Sequence, residues 1–350
     1  MTFSIGVAVR TCAVTALLAL ASAPTQAQTV EAFYTGKQIS LIIGNAAGSG
    51  YDVIGRMVGR HMGKYIPGNP KLVPQNMNGA GGITAANHVA SIAAKDGSVI
   101  GLVNREAIFD PLFSGAESKA SYDPRKFIWL GTPNQEIGMA YAMTARGVKT
   151  IEDAMQRELV VAAAGATSGS AVFPRLLNAL IGTKFKIVTG YPGSMDGLLA
   201  MERGEADARV TSGWAGPETT AGMELVKQGK VVLLLQIGIT KDPRYPDVRS
   251  IMEFARTDDQ RTLMELLFAG QALGRPFFAA TEVPADRSAA LQAAFMRTME
   301  DPEFKREAEE QKIDLSPLDG AAMLKTIERV YATPKPLLEQ AIKISSAAQK

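Results

Sequence analysis

From residue 39 onward the chain alternates apolar runs of strand length with amphipathic stretches of helix length, and few folds accept that alternation. Residues 39–43 (ISLII) are rich in β-branched side chains and stop at Gly44, as a buried strand does. Asp52, placed as an N-cap, opens a stretch that carries Val53, Ile54, Met57, Val58, His61 and Met62 on one helical face. Residues 72–75 form a second strand, 83–94 a helix and 98–103 (SVIGLV) a third strand. The pattern then returns with strands at 159–164, 185–189, 208–211 and 231–237, and helices to about 181 and over 195–203 and 218–227. Helical crossovers between strands imply mostly parallel pairing with helices on both faces. The reading is two α/β units, roughly 30–138 and 139–240, followed by a helical tail. In that tail Pro284 and Pro302 sit at first turns, the latter after the N-cap Asp301.

Residues 1–27 stand apart from this pattern. The first ten carry one charge, Arg10; residues 12–21 are apolar; and Ala23-Pro24-Thr25-Gln26-Ala27 places small residues where a signal peptidase cuts. The apolar run is half the length a membrane span needs. Cys12 stands at its start, which excludes a lipoprotein signal. The expectation is export with cleavage near Ala27, which removes the only cysteine and leaves stability to packing.

The 37 basic and 35 acidic residues nearly cancel, so no net field draws the chain to nucleic acid or anionic lipid. Catalytic signatures are missing. Ser168 and Ser49 have Ala166 and Ala47 where a nucleophile elbow needs glycine, and no phosphate-binding loop ends in Gly-Lys-Ser/Thr. The two histidines, His61 and His88, fall on different helices and suggest no metal site. An exported hydrolase is therefore a poor reading, and no cofactor is expected.

Three strand-to-helix loops are rich in glycine and small polar residues: 44–52 (GNAAGSGYD), 78–82 (NGAGG) and 165–170 (GATSGS). Loops of this kind aim backbone N–H groups from the positive end of a helix dipole, which suits a carboxylate that must be caught and released. Glycine could equally serve tight turns alone; three such loops in equivalent positions favour binding.

These loops, in order, resemble the periplasmic substrate-binding proteins of tripartite tricarboxylate transporters, the TctC/Bug receptors. The likeness runs through Gly48-Ser49-Gly50-Tyr51-Asp52, Gly79-Ala80-Gly81-Gly82, Lys95-Asp96-Gly97, Lys149-Thr150-Ile151-Glu152-Asp153 and Gly190-Tyr191-Pro192-Gly193. It continues through Gly204-Glu205-Ala206-Asp207, Val283-Pro284-Ala285-Asp286-Arg287 and Asp301-Pro302-Glu303-Phe304. It implies a two-lobed type II periplasmic binding-protein fold, each lobe a mixed sheet flanked by helices, with the ligand cleft between lobes. One lobe would comprise residues 28–138 and 241–350, the other 139–240. It also implies a non-catalytic, monomeric receptor that closes over a small organic acid and docks transiently on the integral-membrane permease subunits. A sensor subunit for a two-component system would use the same site.

Carried over by position, the ligand contacts are Asn45, Ala46, Gly48, Ser49, Gly50, Tyr51, Gly81, Gly82 and Asn104 in the first lobe. Thr167, Ser168, Gly169, Ser170, Asp207 and Trp214 supply the second lobe. Asn45 and Tyr51 depart from the family's Pro-rich first loop. Trp214 either lines the cleft or belongs to the core, Asp207 either reaches the cleft or faces solvent, and Arg105 and Arg209 either meet a second carboxylate or pair elsewhere.

Overall fold

The computed structural model describes residues 28–166, 168–214 and 217–349. The expected export signal, residues 1–27, lies outside them, as does Thr167. Two sheets organise the chain. The first contains β1 (Gln38–Ile43), β2 (Lys71–Asn76), β3 (Val99–Leu102), β4 (Ile128–Thr132), β10 (Phe277–Ala279) and β11 (Leu318–Asp319), in the order β11-β4-β10-β3-β1-β2. The second contains β5 (Gly138–Met143), β6 (Leu159–Ala163), β7 (Phe185–Thr189), β8 (Ala208–Val210) and β9 (Val231–Ile237), in the order β7-β6-β8-β5-β9.

The parallel pairings fall where helices cross over: β1 with β2 and β3, and β6 with β7 and β8. Both sheets are nevertheless mixed. β10 runs antiparallel between β3 and β4, and β5 runs antiparallel to both β8 and β9. The expectation of mostly parallel sheets is corrected by these strands, which are completed by chain arriving from the other sheet. The tail is likewise not wholly helical, since β10 and β11 return from it to the first sheet.

The cores cross these boundaries. Ile39, Leu41, Ile43, Met57, Phe277 and Phe295 pack on one face of the first sheet. Ala140, Val161, Leu177 and Leu235 fill the second, joined by Ile251, Met264, Phe268 and Ala348 from the C-terminal third. Helix Asp258–Leu273 therefore serves both units, with Leu263, Leu266 and Leu273 packed in the first. Helix Lys335–Gln349 also packs on helix Gly169–Ile181, where Arg175 Nη1 donates to Ala348 O at 3.1 Å.

Candidate functional site

The C-terminal ends of β1, β2 and β3 bring three loops into contact. A Cβ on Gly44 would lie 3.1 Å from Gly82 Cα, and one on Gly82 would lie 3.1 Å from the Asn104 amide nitrogen. Gly79, Ala80, Gly81 and Gly82 all have positive φ, so the second loop turns through a run of left-handed backbone that side chains disfavour. Gly44 and Gly82 are the close-approach glycines, and they bring the segments that carry Asn45, Gly82 and Asn104 together.

The first loop is locked from within. Helix Gly50–Met62 starts with Ser49 as its N-cap, whose Oγ accepts from the Asp52 amide at 3.2 Å. Asp52 is thus inside the first turn rather than the cap expected from sequence. Its carboxylate folds back to accept from the Gly48 amide at 2.8 Å, from Arg56 Nε at 2.9 Å and from Asn76 Nδ2 at 2.8 Å. Burial alone would raise this acid, but those donors outweigh it and hold it at about 2. The Gly48 amide and Ser49 hydroxyl therefore serve the loop itself. The amides of Gly50 and Tyr51, ahead of the first helical hydrogen bond, remain for an anion.

Tyr51 turns inward. Its hydroxyl donates to Gly274 O and accepts from the Arg105 amide, both at 3.3 Å, and burial pushes the phenol well above its ordinary range. It positions the strand-end loops and packs against the first core.

Between the units lies an ionic bridge that sequence reasoning half found. Glu136, on the segment joining β4 to β5, receives Arg275 Nη1 at 2.7 Å on one oxygen and Arg105 Nη1 on the other. Burial works against its charge, but the two guanidiniums hold the carboxyl below its ordinary range. Arg275 lies against the first loop, 3.5 Å from where a Gly50 Cβ would be, and Glu136 lies 3.3 Å from where a Gly213 Cβ would be. Arg105 was an expected cation; Glu136 and Arg275 carried no local sequence signal. Around them, the amide oxygens of Asn45, Asn104, Asn134 and Gln271 and the Nε of Arg275 are buried without a protein partner. Such atoms call for water or a guest.

The second unit meets this surface through the loop after β6 and the chain after β8. Ser168 Oγ donates to Gly165 O at 2.7 Å and lies 2.9 Å from Ser170 Oγ, which accepts from the Ala164 amide. Helix Gly169–Ile181 begins there with Ser168 as N-cap, leaving the Gly169 and Ser170 amides at its open end. A Cβ on Gly169 would strike Ser212 Oγ at 2.5 Å, so glycine lets the two segments touch. Gln271 Nε2 donates to Ser212 O at 2.8 Å and ties them to the connecting segments.

Asp207 and Arg209 lie away from this surface, and Trp214 is buried beside it. Asp207 is at the opposite end of the second sheet, where it accepts from the Val160 amide at 2.9 Å and pairs with Arg146 at 2.6 Å. β8 carries the chain away from it toward Ser212, so the acid pins the start of two strands. Arg209 is buried on the sheet face, bonded to Glu218 at 2.7 Å and to Ala162 O at 3.0 Å. Tyr141 completes that cluster through Glu218 at 2.5 Å. Trp214 is 4% exposed, stacked at a tilt on Tyr141 with centroids 5.1 Å apart, and its Nε1 donates to Tyr245 at 3.1 Å. It is a core residue that also lines a cavity together with Glu136 and Asn134. Ala46 and Gly81 are exposed on the loops they were assigned to.

No protein-family profile matches the sequence, and no curated protein matches it. Solved structures do match along nearly the whole chain. A TctC solute-binding protein from Polaromonas is 18% identical, covering 88% of this chain and 99% of its own, with a TM-score of 0.66. MatC from Rhodopseudomonas palustris, solved with malate, is 20% identical over 89% of this chain and 99% of its own, with a TM-score of 0.53. A further R. palustris protein, solved with adipate, is 16% identical over 89% and 98%, also at 0.53. With its two mixed sheets flanked by helices and linked by crossing segments, this chain has the two-lobed fold of the periplasmic binding proteins.

Proposed function

We propose that the chain is a solute-binding receptor of the TctC/Bug type, which captures a small organic acid between its lobes without transforming it. The observation that carries this is the convergence of the β1, β2 and β3 loops on one surface opposite the open end of helix Gly169–Ile181. Gly50 and Tyr51 supply amides from one lobe, Gly169 and Ser170 from the other. A carboxylate held by both sets makes closure favourable, because dipoles already oriented replace its hydration. Residues 28–138 with most of 241–350 form one lobe in this reading, and 139–240 the other. The two solved relatives that hold malate and adipate support an organic acid as guest. The N-terminal segment supports export to the periplasm, with delivery to the membrane subunits of a tripartite tricarboxylate-type permease.

Thermal unfolding of the chain against mono-, di- and tricarboxylates tests this. A ligand that binds only the native state stabilises by RT ln(1 + [L]/Kd), about 2.7 kcal/mol at a hundredfold excess over Kd. A saturable rise in Tm with one class of acid is expected. No rise with any acid, after unfolding and refolding to strip a resident guest, overturns the reading.

A further inference from the structure

A cavity of about 470 Å³ opens between helices Arg105–Ser114 and Gly169–Ile181 and shares Arg105 with the ionic bridge. Its two ends differ. Arg105, Gln271, Ser212 and Gly169 meet at one end, where the buried Gln271 Oε1 has no protein partner. The rest of the lining is mainly apolar: Phe109 and Phe113 on one lobe, Val172, Phe173 and Leu176 on the other, over a floor containing Leu266, with Ser114, Ser345 and Gln349 as further polar members. Gly270 keeps that floor low beside the Arg105 stem, 3.7 Å from where its Cβ would stand. Seven or eight helical residues separate the polar end from Leu176 and Phe113, a reach of roughly 10–12 Å at about 1.5 Å per residue.

The acids along the walls have other duties. Glu106 pairs with Arg105 Nε at 3.1 Å, and Asp110 accepts from Ser114 at 2.9 Å and from Ser118. A second carboxylate carried into the cavity would meet both negative charges and bring no cation of its own.

We propose that this cavity receives the tail of the captured acid, so that the ligand class is a monocarboxylate with an extended aliphatic or aromatic chain. The inference rests on the receptor reading above and narrows it. The carboxylate stays with the open helix ends and Arg105, while the tail lies between Phe113 and Phe173 and is covered when the lobes close. Apolar walls drawn from both lobes make the tail itself a contribution to closure.

Isothermal titration of the purified chain with butyrate, hexanoate, octanoate and phenylbutyrate, set against succinate, adipate and citrate, reads this directly. Affinity should rise about fourfold per methylene buried, and the dicarboxylates should fall below monocarboxylates of equal length. Val172→Trp should flatten the chain-length dependence while short acids still bind; Phe113→Ala, which weakens the wall without filling it, serves if that variant does not fold. Tight binding of di- or tricarboxylates, with no dependence on monocarboxylate length, overturns the tail assignment and leaves the receptor reading standing. No binding by any acid of either series overturns both.

Discussion

The Asp52 carboxylate offers a quantitative handle on the first loop, because its contribution can be switched off by pH. The residue is 3% exposed, and its carboxylate accepts from Gly48, Arg56 and Asn76. Its pKa falls from an ordinary 3.8 to about 2 on folding. A depressed native value means the stabilisation is full above pH 3.8 and disappears as pH falls through about 2. At roughly 1.4 kcal/mol per pH unit, the difference is worth about 2 kcal/mol. Asp52→Asn keeps the shape and removes the charge. Urea unfolding of both proteins should show a gap of about that size at pH 7, closing between pH 4 and pH 2. Comparing the pair cancels the other carboxylates that titrate in this range. A gap that persists undiminished at pH 2.5 would refute the argument, since the lost stability would then come from shape and not from charge.

Other perturbations address the remaining parts. Glu136→Gln leaves Arg105 and Arg275 without their shared counter-charge; the bridge is only partly buried, so the loss should be smaller than the roughly 3–5 kcal/mol of a fully buried pair, and the melting temperature should fall and recover partly with added sulfate. Gly82→Ala puts a Cβ 3.1 Å from the Asn104 nitrogen at a φ of +94°, so denaturant unfolding should show a loss of about 1–3 kcal/mol. Ser168→Ala removes a hydroxyl that braces the second loop at Gly165 and Ser170, and calorimetry should find acid binding weaker by about 1–2 kcal/mol. Unchanged affinity there would take Ser168 out of the site.

Much of the fold is legible because seven of its strands alternate with helix-length amphipathic stretches, and β1, β3, β6, β8 and β9 among them are largely buried apolar runs. β10 is not, since Phe277–Ala279 is three residues long and gains its meaning by inserting between β3 and β4. No local pattern announces a strand whose partners come from the other end of the chain. The glycine loops are readable for the same reason the strands are: a positive φ and a close backbone approach both demand glycine at a fixed place. The electrostatics are less so. Arg105 and Arg209 look alike in sequence, yet one ends beside Glu136 between the lobes and the other beneath a helix with Glu218. Asp207 follows a turn motif, but β8 runs from it toward the site, so the acid is left at the far end. Glu136 and Arg275 become neighbours only where the chain crosses between sheets.

The most direct test of the account is the crystal structure of the chain with an acid that raises its melting temperature. The account predicts the carboxylate between the amides of Gly50 and Tyr51 and those of Gly169 and Ser170, with the lobes drawn together over it. An acid bound instead in the cavity beside Trp214 and Arg244, with the glycine loops empty, would contradict it.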